Sequence, residues 1–184
     1  MRNIAIYKAT LDNEEIDQLK SVLQAKDDLS KVLEFEEKMV KYIGAKYAIA
    51  TATSTAALHL ALSSMRLKRG DKVLMSVNSF VNLPETVRHF DAEPIFVDIN
   101  LEDMNLDIEK FEEAIIANKS KKLRAAIITF IGGLAPNLDK IYEIGKKYNI
   151  LIIEDCRAAL GTTYKGKKVG NLGADMTIFS TNPS

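Results

Sequence analysis

The chain has 184 residues, with 25 basic and 25 acidic side chains and 47% hydrophobic residues. That length suits one domain able to bury roughly 70% of its unfolded surface, and the balanced charge supplies no field for nucleic acid or a membrane surface. A single cysteine, Cys156, excludes an intramolecular disulfide framework and suits a reducing compartment. No apolar run reaches the roughly 18 residues of a membrane span. The opening MRNIAIYKATLDNEE is acidic and poor in apolar residues, unlike a signal peptide. A cytoplasmic protein is therefore expected. Internal repeats and low-complexity segments are absent from the sequence.

Taken in order, Asp12 and Glu15 have the spacing of a helix-opening capping box. Ile16, Leu19, Val22 and Leu23 continue it as one apolar stripe to about Ala25, where Lys26-Asp27-Asp28 breaks it. Ser30 is expected to cap a second helix in which Val32, Phe35, Met39 and Ile43 share a face, with Gly44 ending it. Both helices read as packing and assembly elements. Beyond them, strands and helices alternate. Tyr47–Ala50 reads as a short buried strand, Thr51–Thr55 as a hydroxyl-rich turn, and Ala56–Met65 as an apolar helix. The turn Arg69-Gly70-Asp71 leads to a strand at Lys72–Val77, and Pro84 stands where a helix with Val87, Phe90 and Ala92 begins. Pro94–Val97 is a strand ending at Asp98, and Asp107 caps a helix carrying Ile108, Phe111, Ala114 and Ile115. Ala125–Ile131 is a strand closed by Gly132-Gly133, and Asn137 caps a helix over Leu138–Tyr148. A strand from Ile150 to Ile153 runs into Glu154 and Asp155. Gly166–Gly173 is turn-rich, and Met176–Ser180 is a last strand. Repeated strand–helix units predict an α/β fold, a mostly parallel sheet with helices on both faces. Residues 1–46 read as an N-terminal helical segment and 47–184 as the α/β domain.

Four places could carry chemistry. Thr53-Ser54-Thr55 opens a helix, where unpaired N–H groups and a partial positive charge suit a phosphate; an ordinary Ser/Thr cap is the alternative. Phe80, past a strand end, is either a ring for stacking on a planar ligand or a core side chain. Asp155 sits where open parallel sheets bind ligands, beyond a strand's carboxyl end. There a carboxylate could hold a pyridine nitrogen protonated and make the ring an electron sink; a turn cap is the alternative. Ser180, at the end of the last strand, is either a second phosphate contact or a surface serine. A Walker lysine and a G-x-G-x-x-G turn are missing, so neither an NTPase nor a Rossmann dehydrogenase is supported. GKKVGNLG reads as turns. His59 and His89 stand isolated on helices, and no Cys/His cluster offers a zinc site.

The segments GAKYAIATATSTAALHLALSSM, RGDKVLMSVNSFVNLPETV, DAEPIFVDINLEDMNLD, NILIIED and YKGKKVGNLGADMTIFS resemble the nucleotide-sugar aminotransferases of the DegT/StrS type. These are pyridoxal-phosphate enzymes with the aspartate-aminotransferase fold, and the resemblance spans nearly the whole chain. It implies a cofactor-binding large domain, incomplete here, whose last strand and C-terminal small domain are absent. It assigns the phosphate turn to Ser54, Thr55 and Ala56, the stacking ring to Phe80, the pyridinium partner to Asp155 and a phosphate contact to Ser180. It further implies a nucleotide-linked keto sugar as substrate, glutamate or glutamine as amino donor, and a homodimer.

Three departures from the family pattern stand out. The polar residue usual three positions after the aspartate is Ala158, with Arg157 beside it. The glycine-rich stretch after the first helix is replaced by Lys26-Asp27-Asp28-Leu29. The family's Schiff-base lysine falls five residues after Ser180, one past Ser184, so no catalytic residue is assigned within the chain. Two alternatives remain beside the aminotransferase reading. One is a non-catalytic, truncated relative acting as a binding or regulatory module. The other is a flavodoxin-like domain that binds FMN or a nucleotide.

Overall fold

The computed structural model describes residues 12–24 and 29–181. Of these, the residues up to Ala50, with Thr181, form one compact unit, and Thr51–Ser180 form the other.

The first unit holds α1 (Asn13–Gln24) and α2 (Leu29–Ile43). The capping box at α1 is made: Asp12 Oδ1 accepts from the Glu14 N–H at 2.8 Å, and Glu15 Oε2 accepts from the Asp12 N–H at 2.7 Å. These bonds satisfy donors that a helix start leaves without partners. The break expected at Lys26-Asp27-Asp28 lies outside the described residues. Ser30 is inside α2, not its cap, because the helix already begins at Leu29. Gly44 ends α2 as expected, at φ 81°, a conformation that costs glycine nothing. Tyr47–Ala50 is not a strand but an extended loop, with Tyr47 74% and Ile49 71% exposed. Its one anchored amide, that of Ala50, donates to Glu36 Oε1 at 2.7 Å and not to a neighbouring strand. A four-residue apolar run becomes a strand only where an adjacent strand takes its backbone groups.

In the second unit the elements run α3 (Ser54–Ser64), β1 (Lys72–Ser76), α4 (Asn82–Arg88), β2 (Glu93–Val97), α5 (Ile108–Ala117) and β3 (Leu123–Thr129). There follow a 3-10 turn (Ile131–Gly133), α6 (Leu138–Tyr148), β4 (Leu151–Cys156), the two-residue strands β5 (Thr163–Tyr164) and β6 (Lys167–Lys168), and β7 (Met176–Phe179). Asp107 and Asn137 cap α5 and α6 as their positions predict. Five strands form one sheet in the order β2-β1-β3-β4-β7, and every neighbouring pair is parallel. Each crossover is long enough to carry a helix, as parallel pairing requires.

Alternation along the strands divides the core between the two faces. Val73, Met75, Ile127, Ile153 and Ile178 pack against Leu58 and Leu62 of α3 and Leu83 and Val87 of α4. Leu74, Ala126, Ile128 and Ile152 pack on the other face, against Phe111 of α5 and Leu138 and Ile141 of α6. The expected α/β sheet with helices on both faces is the fold observed. Between β4 and β7 the turn-rich stretch contains an antiparallel hairpin, β5–β6. Its two turn residues, Lys165 (φ 50°) and Gly166 (φ 78°), both have the positive φ of a tight hairpin turn. Val169, 1% exposed, pins the stretch to the core.

Candidate functional site

β4 presents its carboxylates to opposite faces. Ile153 and Asp155 share the α3/α4 side, whereas Glu154 turns to the α6 side. Glu154 is buried and takes three donors: the Tyr142 hydroxyl, the Thr177 hydroxyl at 2.8 Å and the Gly170 amide. Burial raises its pKa above the ordinary carboxylate value, and the three donors offset only part of that. Burial also pushes up the Tyr142 phenol and the Cys156 thiol, both of which stay protonated. This cluster ties α6 and β7 to β4 and is structural.

Asp155, 4% exposed, heads a polar chain on the other face. Arg157 donates to it through two bonds, Nε to Oδ1 at 2.6 Å and Nη2 to Oδ2 at 2.7 Å. The Thr129 hydroxyl, on the neighbouring strand, adds a longer bond to Oδ2 at 3.4 Å. Arg157 Nη1 donates to Asn82 Oδ1 at 2.8 Å, and Asn82 Nδ2 donates to Thr55 Oγ1 at 2.6 Å. The amide orientation of Asn82 follows from chemistry, since a guanidinium can only donate. The Arg157 guanidinium lies 5.8 Å from the centroid of the Phe80 ring, within the range of cation–π attraction. Phe80 is 66% exposed and so is not a core side chain.

Thr55 belongs to the first turn of α3. The helix begins earlier than the sequence reading placed it, and Thr53 is its cap, with Oγ1 accepting from the Ala56 N–H at 3.0 Å. The ordinary-cap alternative therefore holds for Thr53. Ser54 and Thr55 lie one step further in, where a helix has no upstream acceptors for its amides. Ala56 shares that turn, and its own amide is occupied by the Thr53 cap.

The structure thus joins Thr55, Phe80 and Asp155 through contacts, and brings Ser54 and Ala56 along on the α3 turn. Ser180 follows Phe179, whose register partner is Cys156, so it stands at the same sheet edge one strand over. Three residues in this network are outside the assigned set: Asn82, Thr129 and Arg157. Asn82 lies two residues before Pro84, in a stretch read only as a helix start. Arg157 is recognised in sequence only as a departure. His59 and His89 are not isolated: their ring nitrogens are 3.1 Å apart and the rings stack at 5.1 Å. Among the described residues no group of three or more His, Cys, Asp or Glu side chains could hold a metal.

A parallel sheet wrapped on both faces, with an acid, a ring and a helix N-terminus at its carboxyl edge, has the architecture of the large domain of a pyridoxal-phosphate-dependent transferase. The chain belongs to the DegT/DnrJ/EryC1/StrS aminotransferase family, whose model matches residues 9–184. It is 36% identical over 178 residues to the UDP-4-amino-4,6-dideoxy-N-acetyl-beta-L-altrosamine transaminase of Campylobacter jejuni, a match spanning 94% of this chain and 46% of that protein. To the GDP-perosamine synthase of Caulobacter vibrioides it is 38% identical over 149 residues, spanning 81% of this chain and 39% of the other. The PLP form of the putative sugar aminotransferase Spr1654 from Streptococcus pneumoniae superposes with a TM-score of 0.87 at 25% identity, covering 99% of this chain and 50% of that one. The chain spans less than half the length of these two curated relatives. Family membership agrees with pyridoxal phosphate as cofactor and sets aside the flavodoxin-like alternative. Among the described residues no helix is long and apolar enough to cross a membrane.

Proposed function

We propose that this chain carries the cofactor-binding part of a nucleotide-sugar aminotransferase. Residues 47–184 would form the large domain and 1–46 an N-terminal helical segment. The observation that carries the proposal is a convergence at one sheet edge. A nearly buried carboxylate and a capped helix N-terminus are linked by one hydrogen-bonded chain, and an exposed aromatic ring joins it through a cation–π contact with Arg157.

The residues present fit the cofactor. The Arg157 guanidinium, a flat cation with in-plane N–H donors, already pairs with Asp155 over the Phe80 ring. It stands in for the flat, protonated ring such a pocket would take. Asp155 would hold a proton on the ring nitrogen, and Phe80 would cover one ring face and exclude water. The amides of Ser54 and Thr55 would receive the phosphate, with the helix dipole favouring its charge. Ser180 would add a hydroxyl. When bound, the cofactor supplies the electron sink. The amine for transamination is assigned, as the family implies, to a lysine five residues after Ser180. A nucleotide-linked keto sugar completes the proposal, supported by the nucleotide sugars in the relatives' names, with a glutamate or glutamine donor and a homodimer as the family resemblance implies.

The test is a titration of the protein with pyridoxal phosphate, and of its Asp155→Ala variant. A hydrogen bond to a charged group contributes about 1.5–3 kcal/mol, so the variant should bind about one to two decades more weakly. Equal affinity would remove Asp155 from the site. Turnover of a nucleotide-linked keto sugar with glutamate or glutamine is the activity expected of a protein that also carries that lysine, and not of these 184 residues alone. Binding by that protein without turnover of any such sugar would favour a non-catalytic module.

A further inference from the structure

We infer that Arg157 is a displaceable internal counter-ion: it occupies the place the cofactor ring would take and must leave Asp155 before the cofactor can pair there. The inference rests on the cofactor assignment proposed above and goes beyond it by naming what the cofactor has to replace.

Three observations carry it. First, the fork from Arg157 uses both Asp155 oxygens, at 2.6 and 2.7 Å, and Thr129 takes a further position on Oδ2. A ring N–H needs an in-plane position on one of those oxygens; the fork takes one lone-pair position on each and Thr129 a second on Oδ2, and the guanidinium holds the side that faces Phe80 and Asn82. Guanidinium and pyridinium therefore compete for one carboxylate. Second, Arg157 touches the same groups that would hold the cofactor. Phe80 lies 5.8 Å away, and Asn82 relays its third donor to Thr55 in the first turn of α3. The guanidinium is placed between the acid and the phosphate turn, not beside them. Third, the way out is open. The Arg157 side chain is 17% exposed against 4% for Asp155, and Phe80 beside it is largely exposed. A long, flexible stem can swing to solvent without breaching the core.

The arrangement keeps a nearly buried carboxylate from standing bare. Its consequence is that loading exchanges one cation for another and gains less than pairing a bare acid would. Apparent affinity falls by the fraction of molecules in which Arg157 has not yet moved.

The probe is pyridoxamine phosphate, which has the ring and the phosphate but no aldehyde, so lysine chemistry does not enter. It is titrated by its fluorescence into the wild-type protein, Arg157→Ala and Arg157→Gln. Each variant is expected to bind about tenfold or more tightly than wild type, the scale of one charge-assisted hydrogen bond. The gain should vanish when Asp155→Asn is added, since the two residues act as one pair. Should neither variant fold, the wild-type protein still decides. The Arg157 Nε–H resonance, protected by the fork, should shift and lose protection from exchange as pyridoxamine phosphate saturates the site. Variants that bind equally or more weakly, or an Arg157 resonance unchanged at saturation, would overturn the displacement and leave the cofactor assignment standing. Absence of binding by every form at millimolar probe would overturn both.

Discussion

The residue scale shows how one strand separates two carboxylates into unlike roles. Glu154 faces inward among Tyr142, Thr177 and the Gly170 amide, and its pKa is raised above the ordinary 4.5, chiefly by burial. The linkage has a definite sign. Between 4.5 and the raised folded value the native state binds more protons than the unfolded chain, so stability falls as pH rises through that window. Below the window both states are protonated and the Glu154 contribution is fully retained. Glu154→Gln keeps the shape and removes the titration: one hydroxyl partner can accept from its amide nitrogen while the other donates to its amide oxygen. Urea unfolding at a series of pH values should find the variant more stable than wild type at pH 8, with the difference shrinking toward pH 4. A difference independent of pH would mean that Glu154 carries no such penalty. Asp155, one residue on, could be assigned from the end of an apolar strand. The chain of contacts beyond it could not: Thr129 is 26 positions away, and Arg157, two residues on, reaches Asn82 across 75 positions. Neither side chain has a local pattern that announces the pair; only the fold brings them together.

At the scale of elements, end signals were the most legible feature of the sequence. Asp12, Asp107 and Asn137 cap the helices they precede, because a short oxygen-bearing side chain before an apolar stripe has a local partner to find. The Tyr47–Ala50 strand failed for the opposite reason: a strand is defined by a neighbour, which lies elsewhere in the chain. The β5–β6 hairpin was hidden inside a glycine-rich run whose turn depends on Lys165 at positive φ, a residue with no sequence preference for it. The end of that same run sets a packing constraint. A Cβ on Gly173 would come within 2.6 Å of the Tyr142 ring on α6, and the hydroxyl of that ring is held by Glu154. The ring cannot yield without loosening a buried hydrogen bond. Gly173→Ala should therefore cost about 1–3 kcal/mol, the range for overpacking. The expected result is a lower urea midpoint with an unchanged slope; a midpoint within error of wild type would show that the connection shifts freely.

For the whole molecule, the edge that holds the candidate site is also its apolar rim. Val77 and Val81 after β1, Leu101 after β2, Leu134 after β3 and Leu160 after β4 are all exposed. Every one lies in a loop at the carboxyl end of a strand. Apolar surface gathered on one edge marks an interaction face, and the proposed homodimer would use it. Sedimentation equilibrium should give a dimer whose dissociation constant rises when Val81 and Leu101 are both changed to Asp. A monodisperse monomer at high concentration would count against it. The sheet and its two covering layers could be read in advance, because β–α alternation and apolar runs are local patterns. The rim could not, since it becomes visible only when four loops are brought to one side.

The strand order has a consequence for how the protein is made. β2 pairs with β1, β3 takes the other side of β1, β4 joins β3 and β7 joins β4. Each of these strands after β1 therefore pairs with one synthesised before it, and the sheet can grow outward as the chain leaves the ribosome. Among them only β1 waits for a later strand, which shortens the time that a slow parallel sheet spends with exposed pairing edges. Changes in β1 should accordingly slow folding, while changes in β7, the latest of these five strands, should mainly hasten unfolding. Refolding and unfolding rates of Val73→Ala and Ile178→Val would separate the two.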